Sequence, residues 1–459
     1  MTEENKIIYE KSLSSKNKRM KLKANFMEWA SSSTSHGFPN IARTDKWIIR
    51  IFWSIVLIVS IGLCSYLCIK TILDYLNYET TTKIEKITEN PTKLPAIYLC
   101  NRSRFTSKDS LSIAIEIVQN VENKEDRDYL MEMFQYEDLS MLSSEELSKL
   151  WSYIYYFMRF IGSPNIDAKR KFGLKKEVFL NYCSSRYDLC NYTNIKWFYQ
   201  NEFGNCYSIN TGYDENGNEI DSYIYQNERG YFYGVDIEIF SGLMYTDTKN
   251  ILSIDPLYGI VFLLANQSYM PLFNEEFMKL EIGKTTFLRV KKTITERMPH
   301  PYSDCVKTEN FESIYNEELR KLGYLYEQKS CLKLCYQKSV IEKCLCYDTD
   351  YKQIFDKPLF NSRPCSTISE IKCSRNFYKE FSPEKCYEQC PIECLSVSYT
   401  IQTWYEEYPS RGNNLFFFTQ DNYYQSLFNT TNITFELLNQ NLAYLNVHMD
   451  DLSYTYISD

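Results

Sequence analysis

The chain has 459 residues, 51 Lys and Arg against 59 Asp and Glu, and a formal charge of -8, with no basic stripe after residue 70. That balance argues against nucleic acid as a partner and leaves cations or a membrane. Its three histidines, His36, His300 and His448, are too few for a His-rich zinc site, so no metal and no cofactor are expected.

The chain opens on a mostly polar segment with ten basic residues (Lys6, Lys11, Lys16, Lys18, Arg19, Lys21, Lys23, Arg43, Lys46 and Arg50) against five acidic ones. From Ile51 to Ile69 no residue is charged, and as a helix that run covers about 28 Å, enough to cross a bilayer. A cleaved secretory signal lies much nearer the terminus, so the run reads as an uncleaved anchor. The basic excess before it keeps the N-terminus in the cytoplasm. The expected layout is a cytoplasmic segment 1–46, a membrane helix 47–69 and an extracellular domain 70–459.

Of the sixteen cysteines, Cys64 and Cys68 lie in the apolar run, and the other fourteen fall between Cys100 and Cys394. An even, clustered set outside the membrane, with Asn-x-Ser/Thr acceptors at Asn101, Asn191, Asn266, Asn429 and Asn432, points to an oxidising, glycosylating compartment. Leu94 to Asn101 is a short apolar run after a proline and predicts a strand. Lys108 to Leu150 has helical spacing, with Ser143-x-x-Glu146 as a capping box. Asn216-Gly217 and the tyrosine alternation from Tyr223 to Tyr233 predict hairpins. Phe311 to Ser330 is helical again, and Leu442 to Ile457 alternates as a strand returning toward the membrane. The 40 tyrosines serve mainly as apolar bulk on such sheets.

In the cysteine block, Cys331 and Cys335 stand one helical turn apart, as do Cys386, Cys390 and Cys394 if that segment is helical. One nested ladder compatible with this would join Cys305 to Cys394, Cys331 to Cys390, Cys335 to Cys386, Cys344 to Cys373 and Cys346 to Cys365. Spacing does not choose among the many possible pairings. Other signals are weaker. Gly283-Lys284-Thr285 lacks the earlier glycine of a phosphate-binding loop, Asp214 to Glu219 lacks the glycine of a calcium loop, and no catalytic constellation is present, so the chain is not expected to be an enzyme. Phe157-Met-Arg-Phe160 spells a neuropeptide but sits in a helical pattern.

Several segments, in order, resemble the epithelial sodium channel/degenerin superfamily. They are His36-Gly37 with Phe38-Pro39-Asn40-Ile41-Ala42-Arg43-Thr44; Leu94-Pro-Ala-Ile-Tyr-Leu-Cys100-Asn101; Phe203-Gly-Asn-Cys206-Tyr-Ser-Ile-Asn210; Pro301-Tyr302-x-x-Cys305; Tyr326 with Cys331, Cys335, Cys344 and Cys346; and Cys386-x3-Cys390-Pro391-x2-Cys394-x4-Tyr399. The resemblance implies a membrane helix plus a disulfide-rich α+β ectodomain with β-rich palm, finger, knuckle, β-ball and a helical thumb at about 305–394. It implies the nested ladder, adds Cys100 with Cys206 and Cys183 with Cys190, and makes His36 and Gly37 a gating motif. The implied protein is a subunit of a ligand- or force-gated, amiloride-sensitive sodium channel, a homo- or heterotrimer that passes sodium ions and takes an extracellular ligand such as a neuropeptide. The other reading is a non-conducting modulatory subunit or single-pass receptor ectodomain.

Proton-gated relatives carry a histidine soon after the first membrane helix, and 75–93 has none, so protons are not expected to be the main opener. The family continues into a second membrane helix that carries the selectivity filter. The 459 residues stop before it and are expected to be a fragment or truncated isoform that conducts nothing alone.

Overall fold

A computed structural model describes the chain except residues 1–2, 35–36, 79, 108, 137–141, 162–165, 187, 246–251, 253–257, 273–275, 350–357 and 413–414, and except the side chains of 3–15, 161 and 166–168. The chain forms two compact units, Met1–Thr80 and Thr81–Asp459.

The first unit has three helices, Glu3–Ser32, Phe38–Arg43 and Trp47–Leu76. Pro39 occupies the first turn of the middle helix, where a missing N–H costs nothing. Trp47–Leu76 has 30 residues, none buried, and includes an 18-residue window of mean hydropathy 2.3. It runs past the expected end at 69. At about 45 Å it exceeds a hydrocarbon layer of about 30 Å, enough to carry Lys70 and Asp74 beyond the apolar region.

Among the described residues the second unit is built on two large sheets, with a two-stranded one beside them. The eight-stranded sheet centres on Lys284–Glu296. One edge of this strand pairs antiparallel with Leu395–Glu407 along its full length, from Lys284 opposite Glu407 to Glu296 opposite Leu395. Its other edge carries two strands end to end, both parallel to it: Leu442–Met449, then Ser453–Ser458. Lys83–Thr88 closes one margin against Ser453–Ser458, and Val235–Phe240, Leu180–Ser185 and Asp188–Leu189 extend the other.

The five-stranded sheet runs Met278–Leu280, Ile260–Ala265, Ala96–Asn101, Gly204–Ile209, Lys196–Gln200. Its central strands are buried on both faces, and side chains alternate between two cores. Ile97, Leu99, Phe262 and Leu264 pack with the first sheet's Ile237, Leu288 and Leu445. Tyr98, Cys100, Val261 and Leu263 face Leu319, Leu322, Leu334 and the helical cysteines. A third core is helical, with Ala114, Val118, Leu130, Tyr153 and Phe157 against Ile368 and Ile371.

Two of the helices of 110–161, Lys124–Met131 and Ser144–Ile161, start at side-chain caps. Asn123 accepts from the N–H groups of Glu125 and Asp126, and Ser143 and Glu146 form a reciprocal box, Glu146 N–H on Ser143 Oγ at 3.3 Å and Ser143 N–H on Glu146 Oε2 at 2.9 Å. Phe311 to Ser330 divides into Ile314–Leu322 and the start of Gln328–Cys344 at Gly323, which caps the first helix at φ 89°.

Three expectations change. Tyr223 to Tyr233 is not a hairpin, because Tyr225–Gln226 pairs with Thr92–Lys93 and Tyr231–Tyr233 is a single 3-10 turn. The Asn216-Gly217 turn itself forms, with Gly217 at φ 85° and Tyr213 bridging Glu219. The tail is two strands rather than one, since Asp450 and Asp451 break the run. Asp450 lies 3.3 Å from Arg289 and 3.4 Å from Lys291, and Asp451 lies 2.6 Å from Arg229 and also meets Lys86. Finally, helix Glu384–Tyr387 ends before Cys390 and Cys394, so those cysteines do not share a helical face.

Candidate functional site

The two partners Lys284–Glu296 and Leu395–Glu407 leave the sheet together at Glu296 and Leu395, and everything between them is the cysteine block. The root is stitched at once: Arg297 N–H donates to Cys394 O at 2.7 Å, Cys394 N–H to Val306 O at 3.0 Å and Val306 N–H to Ile392 O at 2.9 Å. Beyond it the structure places sulfurs together as Cys305–Cys394, Cys331–Cys390, Cys335–Cys386, Cys344–Cys373 and Cys346–Cys365, with Cα separations between 4.9 and 6.0 Å. Cys100–Cys206 crosses two strands of the five-stranded sheet, and Cys183–Cys190 closes a short loop. The cross-linked block therefore rises from one end of a two-stranded ribbon. The same end holds the last strand: Thr293 to Glu296 pair with Thr455 to Ser458, Tyr456 OH donates to Glu296, and Asp459 N–H donates to Glu296 O at 3.2 Å. Lys83–Thr88, the first strand after the apolar helix in sequence, pairs on the far side of that strand. Lys292 ties in the turn that follows, 3.0 Å from both oxygens of Glu89.

A carboxylate pair sits at this root. Glu393 accepts the N–H of Gln328 at 2.8 Å at the start of helix Gln328–Cys344. Burial, then the charge of Glu393, pushes the neighbouring Glu327 up to about 7. At the other end of the block, Asp348 is buried and accepts from Tyr336 OH and Ser374 Oγ, both at 2.9 Å, while its backbone exchanges two 2.9 Å bonds with the Gln337 amide. Burial raises Asp348, and the hydrogen bond from Ser374 and the charge of Arg159 partly oppose that. Asn201 holds Thr349 at 3.0 Å, linking the block to the loop between strands Lys196–Gln200 and Gly204–Ile209. His448 is held down at about 4, chiefly by burial, then by the charge of Arg289.

In the first unit, His36 lies outside the described residues. Gly37 starts helix Phe38–Arg43 with φ -87° and ψ -45°, a conformation open to any residue, so its backbone angles are not what calls for glycine. The reason is proximity: a β-carbon there would stand 2.5 Å from Leu57 Cδ1 and 3.3 Å from its Cγ. Arg50 secures the same corner, donating to Ile41 O at 3.1 Å and Thr44 O at 2.7 Å near the C-terminus of the short helix, where a cation is favoured.

Asn191, Asn429 and Asn432 are exposed and Asn266 is half-buried. Asn101 is different. It is 4% exposed, with Nδ2 donating to Ser241 O at 2.7 Å, and a folded chain has no room for a glycan there. Cys64 and Cys68 are unpaired and exposed on the apolar helix. Among the described residues no group of three His, Cys, Asp or Glu could hold a metal. Sequence reading missed Glu327 and Glu393. The available signal was their offset from a cysteine pair, since Glu327 lies one turn before Cys331 and Glu393 three residues after Cys390.

The family model described as amiloride-sensitive sodium channel matches residues 29–459. Among similar proteins, the epithelial sodium channel subunit beta of Neoceratodus forsteri is 24% identical over 69% of this chain and 46% of its own length. The bile acid-sensitive ion channel of Homo sapiens is 21% identical over 93% of this chain and 77% of its own length. The FMRFamide-activated amiloride-sensitive sodium channel of Cornu aspersum is 22% identical over 75% of this chain and 50% of its own length. The chain spans half or less of the first and third of these relatives.

Proposed function

The chain belongs to the amiloride-sensitive sodium channel family, and from that premise we propose that it serves as a subunit of a trimeric, sodium-selective channel of the plasma membrane. The family is one of ion channels rather than enzymes. The observation that carries the reading is the family match over residues 29–459, which takes in both the apolar helix and the cross-linked ectodomain. The N-terminal segment faces the cytoplasm, in keeping with its basic excess, and the ectodomain faces outward with its seven disulfides.

The proposed mechanism follows from the root of the thumb. A ligand or force acting on the helical block displaces a body that its disulfides keep from deforming internally. The motion passes down the ribbon to Glu296, and from there to Ser453–Ser458 and Lys83–Thr88. Gly37 and His36 act at the cytoplasmic mouth, where close packing on Leu57 favours one arrangement of the short helix. Protons tune rather than open the channel: His448 stays neutral through mild acid, and Glu327, raised to about 7, is the group that supplies the tuning. Relatives named for bile acid and for FMRFamide support an extracellular small molecule or peptide as the opener.

The gene encoding this chain can be expressed in oocytes, alone and with epithelial sodium channel subunits, and recorded under peptide, bile acid and stretch. A current blocked by amiloride is expected. Protein that reaches the surface yet leaves every such recording unchanged would contradict the proposal.

A further inference from the structure

A cleft of about 630 Å3 lies along helix Ser144–Ile161, bounded opposite by Arg104, the loop of Asn201 and Glu202, and Arg375 of helix Ile368–Glu380, in the size range of small-molecule sites. Its charge is one-sided. Arg104, Arg159 and Arg375 line it against the single carboxylate of Glu202. Two of the guanidiniums meet on one ring: Arg159 lies 3.5 Å from the centroid of Tyr155 and Arg375 lies 4.3 Å from it. The third is fixed by a 3.2 Å hydrogen bond from Arg104 Nη1 to Asn201 O. Trp151, Tyr155 and Met158 follow at helical spacing on one face of Ser144–Ile161, so an apolar wall stands beside the cations.

Convergence of like charges is costly. Burial lowers Arg159; Tyr155 and Asp348 oppose that, and Arg375 adds a smaller lowering. A carboxylate in the cleft would add a further counter-charge between the guanidiniums, whose planar fork matches it in two-point contact.

We propose that this cleft binds an organic anion, a carboxylate on a flat apolar body, with the carboxylate held by Arg104, Arg159 and Arg375 and the body laid against Trp151 and Met158. One wall is the helix Ser144–Ile161, Arg104 with Asn201 and Glu202 forms the other, and the disulfide block reaches the cleft through Arg375, so a bound carboxylate engages all three. The assignment stands on the cleft alone and holds whether or not the chain conducts sodium.

The test uses the purified full chain in detergent, with 2-naphthoate as the probe in equilibrium dialysis. Saturable binding is expected, with the uncharged 2-naphthamide about tenfold weaker. Arg375→Gln should weaken naphthoate about tenfold while Arg375→Lys recovers part of the loss, because lysine keeps charge without the fork. Arg375 and Trp151 are both exposed, so Trp151→Ala gives an independent arm: it should weaken naphthoate and leave inorganic sulfate unaffected. Equal affinity for naphthoate and naphthamide, unchanged affinity in both Arg375→Gln and Trp151→Ala, or no saturable naphthoate binding by protein with a cooperative thermal transition would overturn the proposal.

Discussion

At the root of the cross-linked block, Glu327 and Glu393 form a carboxylate pair that should couple this corner to pH. An ordinary glutamate titrates near 4.5, and Glu327 is pushed up to about 7 by burial and then by Glu393. A raised carboxylate favours the protonated form in the fold. Its stabilisation is therefore complete below about 4.5 and is lost as pH rises through about 7. The protection of the first-turn amides of Gln328–Cys344, taken as the intrinsic exchange rate at each pH divided by the observed one, should be greater at pH 5.5 than at pH 8, the bracketing values being about a unit or more on the low and high sides of 7. Glu327→Gln should remove that difference in protection, and equal protection in the wild type at both pH values would contradict the assignment. Gly37 gives a steric counterpart. Replacing it with Leu drives a side chain into Leu57, and open probability should fall without loss of surface protein. Adding Leu57→Ala should restore much of it, as coupling between touching residues requires. A double variant no better than Gly37→Leu would place the effect elsewhere.

Among the elements, the bridges carry unequal weight. Each rung of the nested ladder lies close to another, so the loop it alone closes is short, whereas Cys100–Cys206 spans 106 residues and Cys183–Cys190 spans 7. On loop entropy alone the longer bridge should be worth about 2 kcal/mol more. Converting Cys100 and Cys206 to Ser should therefore lower the thermal midpoint of the ectodomain clearly more than converting Cys183 and Cys190, and the reverse order would show that loop length does not set the weight of a bridge. The elements also divide by how far the sequence displayed them. Helices over 110–161 were legible because capping residues and 3.6-residue spacing act locally. Ala96–Asn101 was legible as a strand, but its double burial made every position apolar, so the alternation of Ile97 and Leu99 against Tyr98 and Cys100 between two cores could not be seen. The break at Asp450 depends on Arg229, Arg289, Lys291 and Lys86, brought from distant segments, and no local pattern announces it. The same holds for Asp348 and Thr349, whose partners Tyr336 and Ser374 for the first and Asn201 for the second meet only in the fold. The Tyr223 to Tyr233 alternation misled because its aromatic residues are spent on a two-residue pairing and a 3-10 turn.

For the molecule as a whole, the proposal joins an apolar helix that can cross a bilayer to an ectodomain whose cross-linked block and last strand meet at Glu296. Such an architecture makes sense if events outside the cell are converted into a conductance. It also makes the ion itself the sharpest question, since ligands and force are matters of regulation, whereas sodium selectivity defines the function. The direct measurement is the reversal potential of the amiloride-sensitive current from oocytes expressing the gene that encodes this chain, as external sodium is replaced stepwise by a large impermeant cation. The proposal predicts a reversal potential that follows the sodium equilibrium potential at every step, and a reversal potential that stays fixed as sodium is withdrawn would contradict it.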